Sequence, residues 1–229
     1  AKAIGIAPVD SAGIAPAVTD AMDSDIPVIA IDTGVSGAAV TSFVATDNYA
    51  VAKVQGAVAA TLVNDGDTII YVTGNQAQST GQERRNGFIE AFSAARPGSK
   101  ILEVPTEWNS QQAQEGVEAV LNSNGDVKMV ANAWDGGTMG AKAALENLGY
   151  SAGDVKLVGF DGASDAIVAM DEGWVHADTA QMLYQMGYQG IKAAAAAARG
   201  EDVSSRIDTG FFLVTPSTSA VYKKMVGIE

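Results

Sequence analysis

The sequence predicts an α/β protein made of doubly wound parallel sheets, with helices on both faces of each sheet. Near-continuous apolar runs occur at residues 26–32 (IPVIAID), 68–74 (TIIYVTG), 127–132 (VKMVAN) and 155–161 (VKLVGFD), and a helix-like segment follows each run. Strands that alternate with helices in this way form parallel sheets that are buried on both faces. Such sheets bind ligands beyond the carboxyl ends of their strands, so we expect the functional residues there.

Size and charge narrow the class of protein. The 229 residues exceed a usual single domain of about 100–150 residues, so we expect two lobes with substantial cores. The net charge of −13 disfavours binding to nucleic acids and to anionic lipid surfaces, because both are negatively charged. Without cysteine there is no disulfide and no thiol chemistry, and no apolar run reaches the roughly 20 residues of a membrane span.

The first part of the chain is predicted to alternate strands and helices. A strand already begins at Ala3, and the chain has no initiating Met, so we expect that residues upstream are missing. Asp10 or Ser11 is suited to cap the first helix, and Asp47 or Asn48 the second. The predicted elements are strands 3–7, 28–32 and 42–45 and helices 13–22 and 48–63.

The middle of the chain, residues 67–172, is predicted to form one doubly wound lobe. Four strands alternate with four helices there, which is the pattern of right-handed crossovers in a parallel sheet. The strands are expected at 67–73, 100–104, 127–132 and 155–161, and the helices at 83–95, 111–122, 138–148 and 163–172.

The last part of the chain is predicted to return to the other lobe. Residues 175–179 form a strand, 184–199 an alanine-rich helix that ends at Gly200, 207–214 a further strand, and 217–229 a final helix. A second lobe would therefore be built from both ends of the chain, and it would be short of strands.

Catalytic and cofactor motifs do not fit this sequence. His176 is the only histidine, and no G-x-S-x-G elbow accompanies it. The loop 74–81 lacks the G-K-[ST] ending of a phosphate-binding loop, and no G-x-G-x-x-G follows a first strand. The turn at 122–126 lacks the spaced carboxylates of a calcium loop. We therefore expect no catalytic residue, no cofactor and no metal.

Polar and aromatic side chains instead converge at the predicted strand ends. Carboxylates accept hydrogen bonds from vicinal hydroxyls, guanidinium donates a fixed fork, carboxamide does both, and indole covers the C–H face of a sugar ring. Each residue also has a structural alternative, as a helix cap, a surface ion pair or an exposed loop aromatic. Together they predict a site for a neutral polyhydroxyl ligand, formed by Asp32, Arg84, Trp108, Trp134, Asp161 and Gln181.

Almost the whole chain resembles the ribose-type periplasmic sugar-binding proteins, the type I receptors of ABC importers. The matching stretches are IAPVD at 6–10, IPVIAID at 26–32, ATDN at 45–48, ERRNGF at 83–88, WD at 134–135 with MGA at 139–141, VGFDG at 158–162 and TAQ at 179–181. The resemblance implies that Asp32, Arg84, Asp161 and Gln181 lie at sugar-contacting positions and that Trp108 lies at an aromatic stacking position.

The resemblance also implies a fold of two lobes joined by a three-crossing hinge, with crossings near Asp47, Gln181 and Thr215. The N-terminal lobe would comprise 1–46 and 182–214 and would be incomplete, and the C-terminal lobe would comprise 47–181 and 215–229. Two positions depart from the family pattern. Thr33 stands where pentose binders usually have arginine, and Trp134 stands where an asparagine usually donates to the sugar.

The function expected from this resemblance is recognition without chemistry. Two lobes would close over a sugar or polyol and deliver it to an ABC transporter permease, and the intact protein would be a monomer in the periplasm or a lipid-anchored protein outside the cell. The alternative is the effector-binding core of a LacI-type repressor; this sequence contains no helix-turn-helix before the core, but the residues expected upstream could contain one. An enzyme on a doubly wound fold is a further alternative, but no activated nucleophile accompanies the acids.

Overall fold

Ten strands form two sheets in residues 1–228, the part of the chain that this computed structural model describes. All neighbouring strands whose register is defined run parallel, which confirms the predicted α/β class with parallel sheets. The strands are β1 (Ile4–Ile6), β2 (Val28–Ile31), β3 (Ser42–Ala45), β4 (Thr68–Val72), β5 (Lys100–Val104), β6 (Val127–Asn132), β7 (Lys156–Asp161), β8 (Val175–Gln181), β9 (Arg206–Asp208) and β10 (Phe211–Val214).

Eight helices connect these strands within residues 1–228. They are α1 (Ala15–Asp23), α2 (Asn48–Thr61), α3 (Ser79–Ala95), α4 (Ser110–Ser123), α5 (Asp135–Asn147), α6 (Ser164–Asp171), α7 (Leu183–Ala197) and α8 (Ser219–Val226). No helix within residues 1–228 combines the length and the apolar character that a membrane crossing requires.

The chain divides into two compact units. The first consists of residues 1–48, 76–82 and 182–211 and contains a four-stranded sheet in the order β1-β2-β3-β9. The second consists of residues 49–75 and 83–181 and the chain from Phe212 onward, and it contains a six-stranded sheet in the order β10-β8-β7-β6-β4-β5. The lobe boundaries that the sequence suggests, and the role of the lobes as moving bodies, stay a prediction.

The first unit is held by the packing of α7 on its sheet. Ala193 and Ala197 of this helix are buried with Ile29 of β2 and Val44 of β3. At Gly190 an added Cβ would lie 2.6 Å from the Ile31 side chain, so glycine is needed for the close approach of helix and strand.

The second unit has the larger core. Its central strands β4, β6 and β7 are almost wholly buried, as their apolar sequences predict. Tyr71 of β4 stacks on Phe88 of α3 at 4.3 Å between ring centroids, and Phe88 stacks on Phe92 at 5.6 Å. These contacts anchor α3 against the sheet and thereby fix the position of Arg84, one turn before Phe88.

Three elements differ from the sequence prediction. The expected single strand 207–214 is two strands, β9 in the first sheet and β10 in the second, because Gly210 between them has φ 72° and breaks the extended run. Helix α3 begins at Ser79, within the expected polar loop. Helix α5 begins at Asp135 rather than Thr138, because its early glycines pack beneath the Trp134 ring and tertiary contact outweighs their low helix propensity.

Candidate functional site

The carboxyl ends of two adjacent strands in the second unit carry two of the predicted site residues. Asp161 is the last residue of β7 and Gln181 the last residue of β8. These strands pair in parallel with Asp161 opposite Ala180, so their polar ends lie side by side. The expectation that strand ends bring these two residues together is met.

Asp161 is held by two side-chain donors. Arg84 Nη1 donates to Asp161 Oδ1 at 2.9 Å, and Gln181 Nε2 donates to the same oxygen at 2.7 Å. The Arg84 side chain is 4% exposed and the Asp161 side chain 25% exposed, so the carboxylate is the member of the pair that reaches solvent. Charge-assisted bonds of this kind fix the position of a carboxylate, which is then ready to accept bonds from a ligand.

The guanidinium of Arg84 is fixed from several directions. Its Nη1 also donates to the carbonyl oxygen of Ala133 at 2.8 Å, just after β6. Its Cζ lies 4.0 Å from the ring centroid of Phe160 and 5.7 Å from that of Trp108. Stacking on an aromatic face and a planar fork of donors favour arginine over lysine at this position.

Trp108 and Trp134 form an aromatic pair beside this network. Their ring centroids are 5.3 Å apart and the rings are nearly perpendicular, at 87°. Trp108 lies in the loop between β5 and α4 with φ 59°, a conformation that costs free energy in a residue other than glycine. Its indole lies against Gly74, where an added Cβ would lie 2.0 Å from Cη2. Gly74 therefore provides the space in which this ring lies.

The contact between Gly74 and the Trp108 indole gives a testable expectation for Gly74→Ala. The new methyl group would displace the Trp108 indole. We expect the free energy of unfolding to fall by about 1–3 kcal/mol, the usual cost of overpacking. Because the displaced indole no longer offers its face to a ligand, ligand affinity should also fall, and calorimetry measures this change. Gly125→Ala is the matched control, because an added Cβ at Gly125 has no neighbour within 4 Å. Equal affinity of the two variants would show that Trp108 does not contribute to binding.

Trp134 is almost completely buried, which leaves little of its ring free to stack on a ligand. Its exposed fraction is 8%, and an added Cβ at Gly137 would lie 2.7 Å from its ring. The indole thus packs on the beginning of α5 and fills space there, and it also contacts Trp108 edge-on. Its contact with a ligand stays a prediction.

Asp32 belongs to the first unit, whereas the other five predicted site residues belong to the second. It follows β2 directly with φ 68° and accepts a hydrogen bond from Thr33 Oγ1 at 3.0 Å. Thr33 is buried, and its Oγ1 lies 3.3 Å from Thr80 Oγ1. The departure at position 33 therefore places a short hydroxyl inside the unit in place of a long cation. A ligand contact of Asp32 stays a prediction from the resemblance.

Sequence reasoning missed two buried acids behind the strand ends, Asp135 and Asp178. Burial raises the pKa of Asp135 well above its usual range, and the nearby Asp178 raises it further. Burial likewise raises the pKa of Asp178, and the charge of Asp161 acts in the same direction. The signal that could have found Asp178 is a carboxylate inside a buried strand, in VHADTAQ.

Metal chemistry gains no support from the geometry. Among residues 1–228, no three side chains of the histidine, cysteine, aspartate or glutamate type come together in a way that could hold a metal ion. The site as it stands can form hydrogen bonds through its carboxylate and carboxamide, and its aromatic pair offers a stacking wall.

Comparison with known proteins finds relatives of this chain by sequence and by structure. A family profile described as "Periplasmic binding protein domain" matches residues 1–202. The ribose import binding protein RbsB of Escherichia coli is 31% identical over 213 residues, which cover 93% of this chain and 71% of that protein. Its name, like those of the other curated relatives, describes a binding protein rather than an enzyme, in agreement with the expectation from the sequence.

Two solved structures show the same fold. An ABC transporter solute-binding protein from Mycobacterium smegmatis with bound glycerol is 32% identical, with a TM-score of 0.88, and the match covers 96% of this chain and 76% of that one. An ABC transporter solute-binding protein from Agrobacterium vitis with bound D-fucose is 28% identical, also with a TM-score of 0.88, and the match covers 94% of this chain and 75% of that one.

Proposed function

Because this chain belongs to the periplasmic binding protein family, we propose that it is a solute-binding protein that captures a sugar or polyol and delivers it to the permease of an ABC importer. The observation that carries the proposal is the Asp161 carboxylate, held by Arg84 and Gln181 at adjacent strand ends. A fixed carboxylate accepts hydrogen bonds from two neighbouring hydroxyls of a sugar, and the aromatic pair beside it suits the C–H face of the ring.

The ligands of the relatives agree with this chemistry. The names and structures of the relatives describe binding of ribose, D-allose, D-fucose and glycerol, all of them neutral and rich in hydroxyl groups. The fold is compatible with the repressor alternative as well, but the names of these relatives describe import or solute-binding proteins and therefore favour transport. The names of the relatives also support a periplasmic location and a permease partner, which we include in the proposal together with a monomeric state.

The choice of ligand is expected to depend on Trp134. An indole cannot reproduce the two-way hydrogen bonding of an asparagine amide, and it brings a larger apolar face. We propose that it narrows the site and favours a four- or five-carbon polyol or a deoxy sugar over a fully hydroxylated hexose.

Trp134→Asn tests this specificity. The variant should prefer larger pentoses or hexoses, because the smaller side chain leaves room beside Trp108 and restores a donor and an acceptor. Thermal shifts measured with ribose, allose, D-fucose, glycerol, myo-inositol and a linear four- and five-carbon polyol against both proteins would give the ranking. A lower melting temperature with an unchanged ranking would mean that the indole only fills space.

The function itself is tested by calorimetric titration of the same ligands. At least one sugar or polyol should bind with a defined stoichiometry, and its affinity should fall when the Asp161 carboxylate is removed. Absence of binding by every ligand of the panel, with the protein folded, would count against the proposal.

A further inference from the structure

A pair of carboxyl groups lies behind the end of β7, where Asp161 begins the loop to α6. Asp135 is the first residue of α5, Asp178 lies in the middle of β8, and their exposed fractions are 2% and 0%. Both face Gly159 of β7. An added Cβ there would lie 2.4 Å from Asp178 Oδ2 and 2.5 Å from Asp135 Oδ1. Glycine at this position leaves the space that the two carboxyl groups occupy.

The surroundings do not neutralise two negative charges. The charged and titratable groups that face the pair are Asp161 from β7, Arg84 from α3 and Tyr222 from α8. Arg84 lowers the pKa of Asp178, but burial outweighs this effect, and Asp161 adds a further negative charge. A buried pair of carboxylates so arranged keeps a proton, because two uncompensated charges in a dry site cost too much.

Hydrogen bonding leads to the same conclusion. Among residues 1–228, Asp135 Oδ1 and both carboxylate oxygens of Asp178 are buried and form no hydrogen bond of normal geometry, although the backbone amide of Gly162 lies near enough to lower the pKa of Asp178 somewhat. Buried polar atoms are rarely left in this state. A proton held on one carboxyl would supply the missing donor to the other, and both acids would then be satisfied by each other.

The pair is connected to the ligand-binding carboxylate through the backbone. Asp135 Oδ2 accepts a hydrogen bond from the amide of Ala163 at 2.7 Å, and the Tyr222 hydroxyl donates to the carbonyl of Gly162 at 3.0 Å. Asp161 and Gly162 have φ of 116° and 77°. Glycine adopts such angles readily, but for Asp161 the conformation costs free energy and persists only where the surroundings hold it.

We propose that Asp135 and Asp178 share one proton and act as a positioning pair, which holds the backbone of residues 161–163 and so aims the Asp161 carboxylate at the ligand. The proposal rests on the proposed function for its effect on ligand binding. The shared proton itself is independent of that function, because it follows from the burial and geometry of the two acids alone.

The pair makes stability depend on pH in a defined direction. The pKa values are raised in the folded protein, so the folded state binds more protons than the unfolded state above about pH 4, the usual range of aspartate. The stabilisation is therefore complete at low pH and is lost as the pH rises through the raised pKa. Loss of the shared proton should also release the loop, and ligand affinity should fall in the same pH range.

Asp178→Asn is the test, because an amide supplies a permanent donor and removes the titration. The free energy of unfolding, measured by denaturant without ligand between about pH 5 and pH 9, should fall with rising pH in the unmodified protein and fall clearly less in the variant. Asp20→Asn is the control, because it removes the same formal charge at an exposed site of α1. Equal pH slopes in all three proteins would overturn the shared proton.

A second measurement keeps the proposal testable if the variant fails to fold. The infrared spectrum of the unmodified protein near neutral pH should show the band of a protonated carboxylic acid, and its absence would overturn the proposal. Calorimetry with the bound sugar tests whether the pair also positions Asp161 for the ligand. Sugar affinity should fall with rising pH in the unmodified protein and much less in Asp178→Asn. Equal pH profiles of affinity would mean that the pair affects stability but does not position Asp161. Absence of sugar binding would contradict the proposed function while the stability data still decide on the proton.

Discussion

Arg84→Met is expected to lower the free energy of unfolding by about 3 kcal/mol, at the low end of the range for breaking a buried ion pair. The guanidinium bonds both Asp161 and the carbonyl of Ala133, and it stacks on Phe160. Methionine keeps part of the apolar contact but removes the Arg84 donor from both acceptors, although Gln181 still donates to Asp161. The loss stays at the low end because the Asp161 side chain is 25% exposed and can turn to water. Denaturant unfolding followed by circular dichroism measures the change.

Arg85→Met is the matched control for this prediction. Arg85 is the next residue of the same helix, but its ion pair with Glu103 lies at the surface, with 36% and 34% of the two side chains exposed. Exposed ion pairs contribute about 0–1 kcal/mol, so this variant should be almost as stable as the unmodified protein. A similar loss of unfolding free energy in both variants would mean that the contacts of Arg84 stabilise the fold no more than a surface ion pair does.

Asp161→Asn is expected to weaken ligand binding by about 1.5–3 kcal/mol, the scale of a hydrogen bond to a charged group, or roughly 10- to 150-fold. The neutral amide weakens the bonds that vicinal hydroxyls donate to the carboxylate. The fold should persist, because Asn accepts positive φ better than most residues and Asp161 has φ 116°. Isothermal titration calorimetry gives both the affinity and the stoichiometry.

Asp165→Asn provides the comparison for this substitution. Asp165 follows four residues later in the first turn of α6, and its Oδ1 accepts only a local bond from the amide of Ala166 at 2.9 Å among the contacts resolved for it. We expect the Asp165→Asn variant to bind the ligand with nearly the same affinity as the unmodified protein. If Asp161→Asn binds as tightly as Asp165→Asn, Asp161 does not contact the ligand.

Much of this site follows from the sequence because it is local. The sequence predicts Asp161 from its own strand, because the apolar run VKLVGFD specifies a buried strand that ends at the acid. Gln181 likewise ends β8, although the strand extends two residues further than its apolar pattern indicates. Parallel pairing then brings such ends together without further information.

The rest of the site depends on contacts between distant parts of the chain. The bond from Arg84 to Ala133 joins residues that lie on α3 and just after β6, and the Trp108 ring lies against Gly74. No periodicity in the sequence indicates such contacts. The same holds for Asp135, which alone looks like a favourable acid in the first turn of a helix, as expected from the helix dipole. The sequence signals Asp178 as a carboxylate inside a strand, but its proximity to Asp135 becomes visible only when β8 is placed beside Gly159.

Native mass spectrometry of the protein after gentle purification tests whether the chain holds a small sugar or polyol at Asp161. We expect a retained mass equal to one neutral polyhydroxyl molecule, displaced by a sugar of the panel and absent from the Asp161→Asn variant. A folded protein that retains no such molecule, and to which none of the panel adds, would rule out a sugar site at Asp161.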